Sequence, residues 1–188
     1  DQLYKIKSGF KKSTSEDIIF FEQPTFPETK KERIDLVSKL VLLAKSNPNT
    51  NVIIKPRFSK KVGHAHRPKY LLQDIIRNSS NIPENLLISN KEIYSLFNNC
   101  KLALTISSTA GLESLLVHIP TYFISDYCSD INKYGSEDFN ILNATISFNE
   151  LLKNQLPEID YEKVHEILRF DGNNTKRLSE AFKELVIS

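Results

Sequence analysis

Three consecutive hydroxyl residues, Ser107, Ser108 and Thr109, stand between an apolar run and a segment with leucines at helical spacing. The apolar run, Leu102 to Ile106, has the composition of a buried parallel strand. Ser and Thr cap helices because their side chains accept hydrogen bonds from the orphan N–H groups of the first turn. A helix that begins at the carboxyl end of a parallel strand also favours a bound anion. The pattern therefore predicts a phosphate site at this turn.

Glu113 follows the turn and falls on the apolar side of the predicted helix, between Leu116 and Val117 on a helical wheel. It does not belong to a capping box, which would need Ser or Thr where the chain has Ala110. A carboxylate on an apolar face needs a partner, because burying it alone is very costly. Hydroxyl groups of a ligand would provide one. The alternative is a glutamate that reaches solvent from a partly exposed helix edge.

A basic segment forms a second candidate site. It runs from Lys55 to Lys69 and contains six Lys or Arg residues, two His and no acid. It follows the second predicted strand, so it leaves the same edge of the sheet as the hydroxyl turn. Arg57 is suited to a bidentate contact with a phosphate or carboxylate, and Lys55 to a point-charge contact. The alternative is a solvated basic loop with no ligand.

Within this segment, His64 and His66 also invite interpretation as metal ligands. The remaining histidines are His118 and His165, and no acidic cluster accompanies them. We therefore expect no metal ion.

Two further polar residues follow predicted strands. Gln23, at the carboxyl end of the first strand, is expected to line the same crevice. Asp126 follows the fifth strand, where a turn-forming or capping role is the ordinary explanation. The spacing reveals no Ser–His–acid or Cys–His arrangement, so the catalytic residues stay unknown.

Alternating strands and helices position these residues. Periodicity predicts strands at Asp17–Phe21, Asn51–Lys55, Asn85–Ser89, Leu102–Ile106 and Thr121–Ile124, with helices between them. This order predicts an α/β fold, a doubly wound, mostly parallel Rossmann-like sheet flanked by helices over residues 16–147. Residues 1–15 are expected to be a linker or frayed entry, and 148–188 a C-terminal helical segment. With five Gly in the chain, neither a GxGxxG turn nor a P-loop is expected.

Composition excludes several classes of protein. A net charge of +2 is far from the concentrated basic charge of a nucleic-acid binder. No apolar run is long enough to span a membrane, and no signal peptide opens the chain. Cys100 and Cys128 lack metal-ligand spacing, so we expect reduced thiols in a cytoplasmic protein. The chain starts at Asp1 and has no Met, so we expect a fragment of a protein with a preceding domain.

Three motifs carry a family resemblance: Thr105 to Glu113 (TISSTAGLE), Ile53 to Arg57 (IIKPR) and Phe20 to Pro24 (FFEQP). Residues Ile18 to Leu142 resemble the C-terminal, donor-binding domain of a GT-B-type bacterial glycosyltransferase. The resemblance is to a putative glycosyltransferase group related to capsule and lipopolysaccharide enzymes, including sialyl-, polysialyl- and Kdo transferases. It implies one half of a GT-B fold.

The resemblance also implies roles for individual residues. Ser107, Ser108 and Thr109 would hold the phosphate of a nucleotide-sugar, and Glu113 would accept hydrogen bonds from its ribose. Arg57 stands where better-studied members have His, and arginine cannot donate a proton at neutral pH. Arg57 would then be a fixed charge on the leaving phosphate, which puts a CMP-sugar donor in doubt.

Two histidine positions also bear on the resemblance. His64 and His66 are the candidates for the proton-donor role that Arg57 cannot fill. His118 replaces the Gly usually found at the end of this helix, which we interpret as a structural change there.

The expected function is therefore donor binding in a glycosyltransferase that makes surface polysaccharide or lipopolysaccharide. No metal or other cofactor is implied. The acceptor, a glycan or lipid-linked molecule, and the catalytic base would come from the N-terminal domain, with peripheral association at the inner membrane face as an option. The alternatives are a non-catalytic Rossmann-like module that binds a nucleotide or a partner protein, and a sugar-nucleotide epimerase or hydrolase.

Overall fold

The structure is a computed structural model that describes residues 17–24, 26–57, 70–127 and 136–168. The strands in these residues are β1 (Asp17–Phe21), β2 (Val52–Lys55), β3 (Leu86–Ile88), β4 (Cys100–Thr105), β5 (Thr121–Ile124) and β6 (Thr145–Ile146). The helices are α1 (Lys30–Ser46), α2 (Leu72–Arg77), α3 (Ile93–Phe97), α4 (Thr109–Leu116), α5 (Ser136–Ile141), α6 (Phe148–Leu152) and α7 (Tyr161–Leu168). The expected linker at residues 1–15 and the last part of the expected C-terminal helical segment, residues 169–188, lie outside the described residues.

The sheet confirms the predicted fold class. Its strand order is β3-β2-β1-β4-β5-β6, and every neighbouring pair is parallel. The order reverses between β1 and β4, which is where doubly wound sheets open a crevice at their carboxyl edge. The strands β1 and β5 have the predicted bounds, whereas β4 begins two residues earlier and ends one residue earlier than predicted. The sequence prediction missed α5 and the two-residue edge strand β6.

The central strands are buried on both faces, as a parallel sheet between two helical layers requires. All of β5 is buried, as are four of the five residues of β1. This explains why these segments appear in the sequence as continuous apolar runs. The C-terminal helices complete the packing: α6 buries Phe148 and Leu151, and α7 buries Val164.

Helix α1 begins with a capping box formed by Thr29 and Glu32. The Glu32 N–H donates to Thr29 Oγ1 at 3.2 Å, and the Thr29 N–H donates to Glu32 Oε2 at 3.0 Å. The buried face of the helix contains Arg33, Leu36, Val37, Leu40, Leu43 and Ala44. Ile34 is apolar but lies outside this face and is 45% exposed. The first buried residue of α1 is therefore a charged one, Arg33.

The Arg33 guanidinium binds the chain that leaves β1. Its Nη1 donates to Glu22 Oε1 at 3.0 Å, and its Nη2 donates to the carbonyl oxygens of Gln23 at 3.1 Å and Pro24 at 2.7 Å. Its Nε donates to the Pro27 carbonyl at 2.8 Å. Arg33 is 1% exposed and Glu22 is 4% exposed. One side chain thus satisfies three backbone carbonyls and one carboxylate in the interior.

Burial opposes charge on both members of this pair. It raises the pKa of Glu22 and lowers the pKa of Arg33, and in each case the partner's charge counteracts the shift. The Leu72 N–H also donates to Glu22 Oε1 at 3.4 Å, at the first residue of α2. The pair therefore joins β1, α1 and α2.

We predict that Arg33→Met destabilises the domain by about 3–5 kcal/mol, because Glu22 would remain buried without its counter-charge. Urea unfolding measures the change. Arg77→Met is the matched control, since Arg77 pairs with Asp74 at 3.7 Å on the surface, where its side chain is 71% exposed. The control should cost less than about 1 kcal/mol. Equal losses in the two variants would show that the Arg33 pair has no special structural role.

Gly111 allows α4 to lie close to the sheet. A Cβ atom at this position would stand 2.8 Å from Thr105 Cγ2 and 3.0 Å from Phe123 Cζ. Both neighbours are buried side chains of β4 and β5. The spacing between α4 and the two strands therefore depends on a residue without a side chain.

We predict that Gly111→Ala lowers the free energy of unfolding by about 1–3 kcal/mol, as overpacking does in other cores. Chemical denaturation of this variant beside Ser95→Ala provides the comparison, because the Ser95 hydroxyl only donates to the Glu92 carbonyl on the surface of α3. A stable Gly111→Ala protein would mean that α4 can move away from the sheet at little cost.

Candidate functional site

The carboxyl ends of β1 and β4 meet where the strand order reverses. Thr105 Oγ1 donates to the Phe21 carbonyl at 3.0 Å, and Ser107 Oγ donates to Gln23 Oε1 at 2.8 Å. The predicted site residues Gln23 and Ser107 are therefore in contact, although 84 positions separate them in the chain. These two bonds tie the exits of the strands together.

The two hydroxyl residues at the start of α4, Ser108 and Thr109, have different roles. Ser108 is the N-cap, and its Oγ accepts from the Ala110 N–H at 3.3 Å. Its own N–H donates to Thr105 Oγ1 at 3.2 Å, and its carbonyl accepts from the Gly111 N–H at 2.9 Å. Thr109 is exposed at the first helical position. The Ser108 hydroxyl is thus a structural cap, whereas the Thr109 side chain faces the surface.

A cavity of about 310 Å³ lies beside this helix N-terminus. It is lined by five predicted site residues: Lys55 and Arg57 at the end of β2, Ser108 and Thr109 at the start of α4, and Glu113 within α4. The rest of its lining is Phe21, Glu22, Pro56, Glu92, Ile93, Tyr94 and Ala110. Gln23 and Ser107 adjoin the cavity without lining it, while His64 and His66 lie outside the described residues.

Two cationic side chains reach the cavity from the end of β2. Lys55 is partly buried, and its Nζ donates to the Pro56 carbonyl at 3.0 Å. Arg57 is exposed. Glu92 and Glu113 come to the same cavity from α3 and α4. The lining therefore joins positive charge from one strand end with carboxylates from two helices.

Glu113 is half-buried, and its partner within the protein is Tyr94. Burial raises the pKa of Glu113, while a hydrogen bond from the Tyr94 hydroxyl partly opposes the shift. Burial and the neighbouring carboxylate raise the pKa of Tyr94 as well. A carboxylate on the apolar side of a helix was expected to need a partner, and Tyr94 on α3 is that partner. The hydrogen bond uses part of the accepting capacity of the carboxylate, which has about four lone-pair positions.

A larger cavity, of about 490 Å³, lies between α1 and α2. It is lined by Lys30, Ile34, Tyr70, Leu71, Asp74, Ile75, Asn78 and Ser79, none of which is a predicted site residue. Size alone would favour it over the cavity beside α4. The smaller cavity is the better candidate, because it lies at the strand reversal and is lined by five predicted site residues.

The chain matches the family model described as "Putative glycosyltransferase (DUF6716)" over residues 4–159. The protein belongs to this family. No curated protein matches the chain. Among solved structures, a His-to-Asn variant of the wall teichoic acid polymerase TagF soaked with CDPG is 16% identical, with a TM-score of 0.50. That match covers 97% of this chain and 44% of TagF.

A second TagF structure is 14% identical with a TM-score of 0.46, and its match covers 97% of this chain and 46% of TagF. At such identities the likeness to the TagF variant shows a shared fold. The chain spans less than half of the length of the TagF structures that it matches.

In this member of the putative glycosyltransferase family, Asp126 has the capping role expected from its position. Its Oδ2 accepts from the Phe148 N–H at 2.8 Å, at the first residue of α6. Its Oδ1 accepts from Lys39 Nζ at 2.8 Å. Lys39 also contacts Asp35 Oδ2 at 2.9 Å and lies 4.8 Å from the centre of the Tyr127 ring. Asp126 therefore anchors α6 to α1 and is not part of the cavity.

His118 shows why a residue other than Gly can end α4. Its φ is 60°, the left-handed conformation that glycine adopts most easily. Its N–H donates to the Leu115 carbonyl at 2.9 Å, and the Ile119 N–H donates to the Ser114 carbonyl at 3.0 Å. These two bonds form a Schellman motif. The replacement of Gly by His is thus accommodated at the helix end with its hydrogen bonds intact.

Three remaining expectations concern the cysteine thiols, metals and membranes. Burial raises the pKa of the Cys100 thiol to about 12, so this residue stays protonated. Within the described ranges, no group of three or more His, Cys, Asp or Glu residues is arranged to hold a metal ion. Among the helices described, none combines the length and apolar character needed to cross a bilayer.

Sequence reasoning missed Tyr94 and Glu92 as cavity residues. Both lie near the start of α3, which buries Leu96 and Phe97 in the core. The contact between Tyr94 and Glu113 joins helices that β4 separates in the chain. No local pattern signals such a contact, although an aromatic residue beside the apolar face of α3 was a usable hint.

We predict that Glu113→Gln is as stable as the parent protein near pH 7, or more stable. The raised pKa means that the folded state binds this proton more tightly than the unfolded state does. Stability from that proton is present below the ordinary Glu pKa and is lost as the pH rises through the raised value. Melting temperatures from pH 4 to 8 should therefore fall less with rising pH in the variant. A large loss of stability at pH 7 would instead show that the ionised Glu113 supports the fold.

Proposed function

We propose that this domain binds the nucleotide-sugar donor of a GT-B-type glycosyltransferase. The observation that carries the proposal is the cavity at the strand reversal, with Lys55 and Arg57 at one strand end and the half-buried Glu113 on α4. A nucleotide-sugar has an anionic phosphate and a ribose rich in hydroxyl groups. The charges of the cavity complement those two parts, and family membership supports the transferase class.

The phosphate would bind between Arg57 and the start of α4. Thr109 offers an exposed hydroxyl at the first helical position, and the helix dipole favours an anion there. Arg57 adds a fixed positive charge with two parallel donors, and Lys55 adds a second cation. As the bond to the sugar breaks, negative charge grows on the leaving phosphate. These donors would stabilise it electrostatically without changing their own protonation.

The ribose would be held by Glu113. A carboxylate accepts hydrogen bonds from two neighbouring hydroxyls, and the Tyr94 hydroxyl fixes its orientation from the other side. Burial raises the pKa of this carboxyl group, and groups with perturbed pKa values are common at functional sites. Gln23 and Ser107 have a different proposed role: their mutual bond would hold the turn in shape beside the ligand.

The remainder of the active site would come from a second domain. The TagF comparison supports this division, because the chain spans 44% of that protein. TagF is a wall teichoic acid polymerase, which supports a surface polysaccharide or lipopolysaccharide as the product class and a glycan or lipid-linked acceptor. The donor site would need no metal ion, and the protein would work in the cytoplasm, with peripheral contact to the inner membrane face.

We predict that one nucleoside phosphate among CMP, UDP, GDP and ADP raises the melting temperature of the full-length protein, whereas its parent nucleoside does so less. Ligand at 100 times its dissociation constant stabilises a native state by about 2.7 kcal/mol. Arg57→Ala should weaken nucleotide binding by about 1.5–3 kcal/mol, as expected for a lost charged hydrogen bond, and leave nucleoside binding unchanged. Arg77→Ala, far from the cavity on α2, is the control.

Equal losses for nucleotide and nucleoside in Arg57→Ala would remove Arg57 from the phosphate site. EDTA should leave nucleotide binding unchanged, and a loss would contradict a metal-free donor site. Slow release of free sugar from the matching nucleotide-sugar would separate a transferase from a module that only binds nucleotides. No thermal shift with any of the four nucleotides would contradict donor binding by the full-length protein.

A further inference from the structure

Two histidines meet at the opposite end of α4 from the cavity. His118 Nε2 and His165 Nε2 are 3.0 Å apart, and the two ring centres are 5.0 Å apart with a tilt of 48°. His118 follows α4, and His165 lies on α7. The eight residues of α4 place this pair about 12 Å or more from the Thr109 end of the helix. The pair is therefore separate from the proposed donor site.

The protein holds the His118 ring in place. His118 is fixed at its backbone by the Schellman motif and stacks on the Tyr161 ring at 4.9 Å with a tilt of 28°. Tyr161 and His165 stand four residues apart on α7, so they lie on the same face of that helix. The arrangement thus brings two imidazole nitrogens to one point on the surface, with an aromatic ring supporting one of them.

The separation of the two nitrogens matches that of two ligands on one metal ion. Zinc–nitrogen bonds of about 2.0–2.1 Å at angles between square and tetrahedral place the nitrogens about 2.9–3.4 Å apart. Without a metal, one imidazole donates its N–H to the other. A divalent ion replaces that shared proton with two coordinate bonds and leaves the backbone where it is.

We propose that His118 and His165 form a two-histidine site for a divalent transition-metal ion. Imidazole suits Zn²⁺, Cu²⁺ and Ni²⁺, whereas Mg²⁺ and Ca²⁺ prefer oxygen ligands. Water would complete the coordination sphere. The bound ion would fasten α7 to the end of α4, and so stabilise the packing of the C-terminal part of the chain on the sheet. Protons compete for the same nitrogens, so binding weakens as the pH falls.

The four histidines of the chain allow a matched test. In the untagged protein, His118→Gly with His165→Gln removes the proposed site, and His64→Asn with His66→Asn removes the other two histidines. Glycine suits the positive φ at position 118, and glutamine suits a partly exposed position on a helix. The single variant His165→Gln keeps the test valid if the double variant does not fold.

Titration calorimetry with NiCl₂ and ZnCl₂ at pH 7.5 should show one ion per chain for the parent protein and for the His64/His66 variant. Affinity should fall at least tenfold in His165→Gln and in the His118/His165 variant. The rise in melting temperature with metal should disappear in parallel. The proposal is overturned if the parent binds neither ion, if binding survives loss of His118 and His165, or if it is lost with His64 and His66.

Discussion

The buried ion pair between Arg33 and Glu22 is the interaction on which the site depends. A guanidinium has donors in a fixed planar arrangement, and here it satisfies a carboxylate and the carbonyls of Gln23, Pro24 and Pro27 together. These groups belong to the chain that leaves β1 and would be costly to bury alone. Because Arg33 fixes the backbone of this loop, the Gln23 side chain is in position to accept the hydrogen bond from Ser107. The strand order places the crevice, and Arg33 fixes the loop that forms one of its edges.

Helix α4 links three features of the molecule. Gly111 lets it approach β4 and β5, Ser108 caps its start beside the cavity, and His118 ends it with a left-handed residue. The start carries the proposed phosphate site, and the end carries the proposed metal site against α7. Its close packing is the common requirement, since a shift of this helix would move both ends.

One residue that lines the cavity, Glu113, carries a charge that burial disfavours. Glu113 is half-buried with a raised pKa, and its hydrogen bond from Tyr94 only partly offsets desolvation. A neutral glutamine would avoid that loss, and the retention of a charged residue here supports the proposal that Glu113 binds the donor. Asp126 shows the contrast. It also follows a strand, but Lys39 and the first N–H of α6 account for its charge entirely within the fold.

The sequence by itself determined the α/β class, five of the six described strands and five of the residues that line the cavity: Lys55, Arg57, Ser108, Thr109 and Glu113. These features are local: apolar runs mark buried strands, and hydroxyl residues before helical spacing mark a cap. Only the tertiary structure decided the burial of Arg33, the contact of Tyr94 with Glu113 and the meeting of His118 with His165. Each joins elements distant in the chain, and a charged or aromatic residue carries no local sign of its partner. The edge strand β6 escaped prediction for a related reason, since its two residues are too few to show a period.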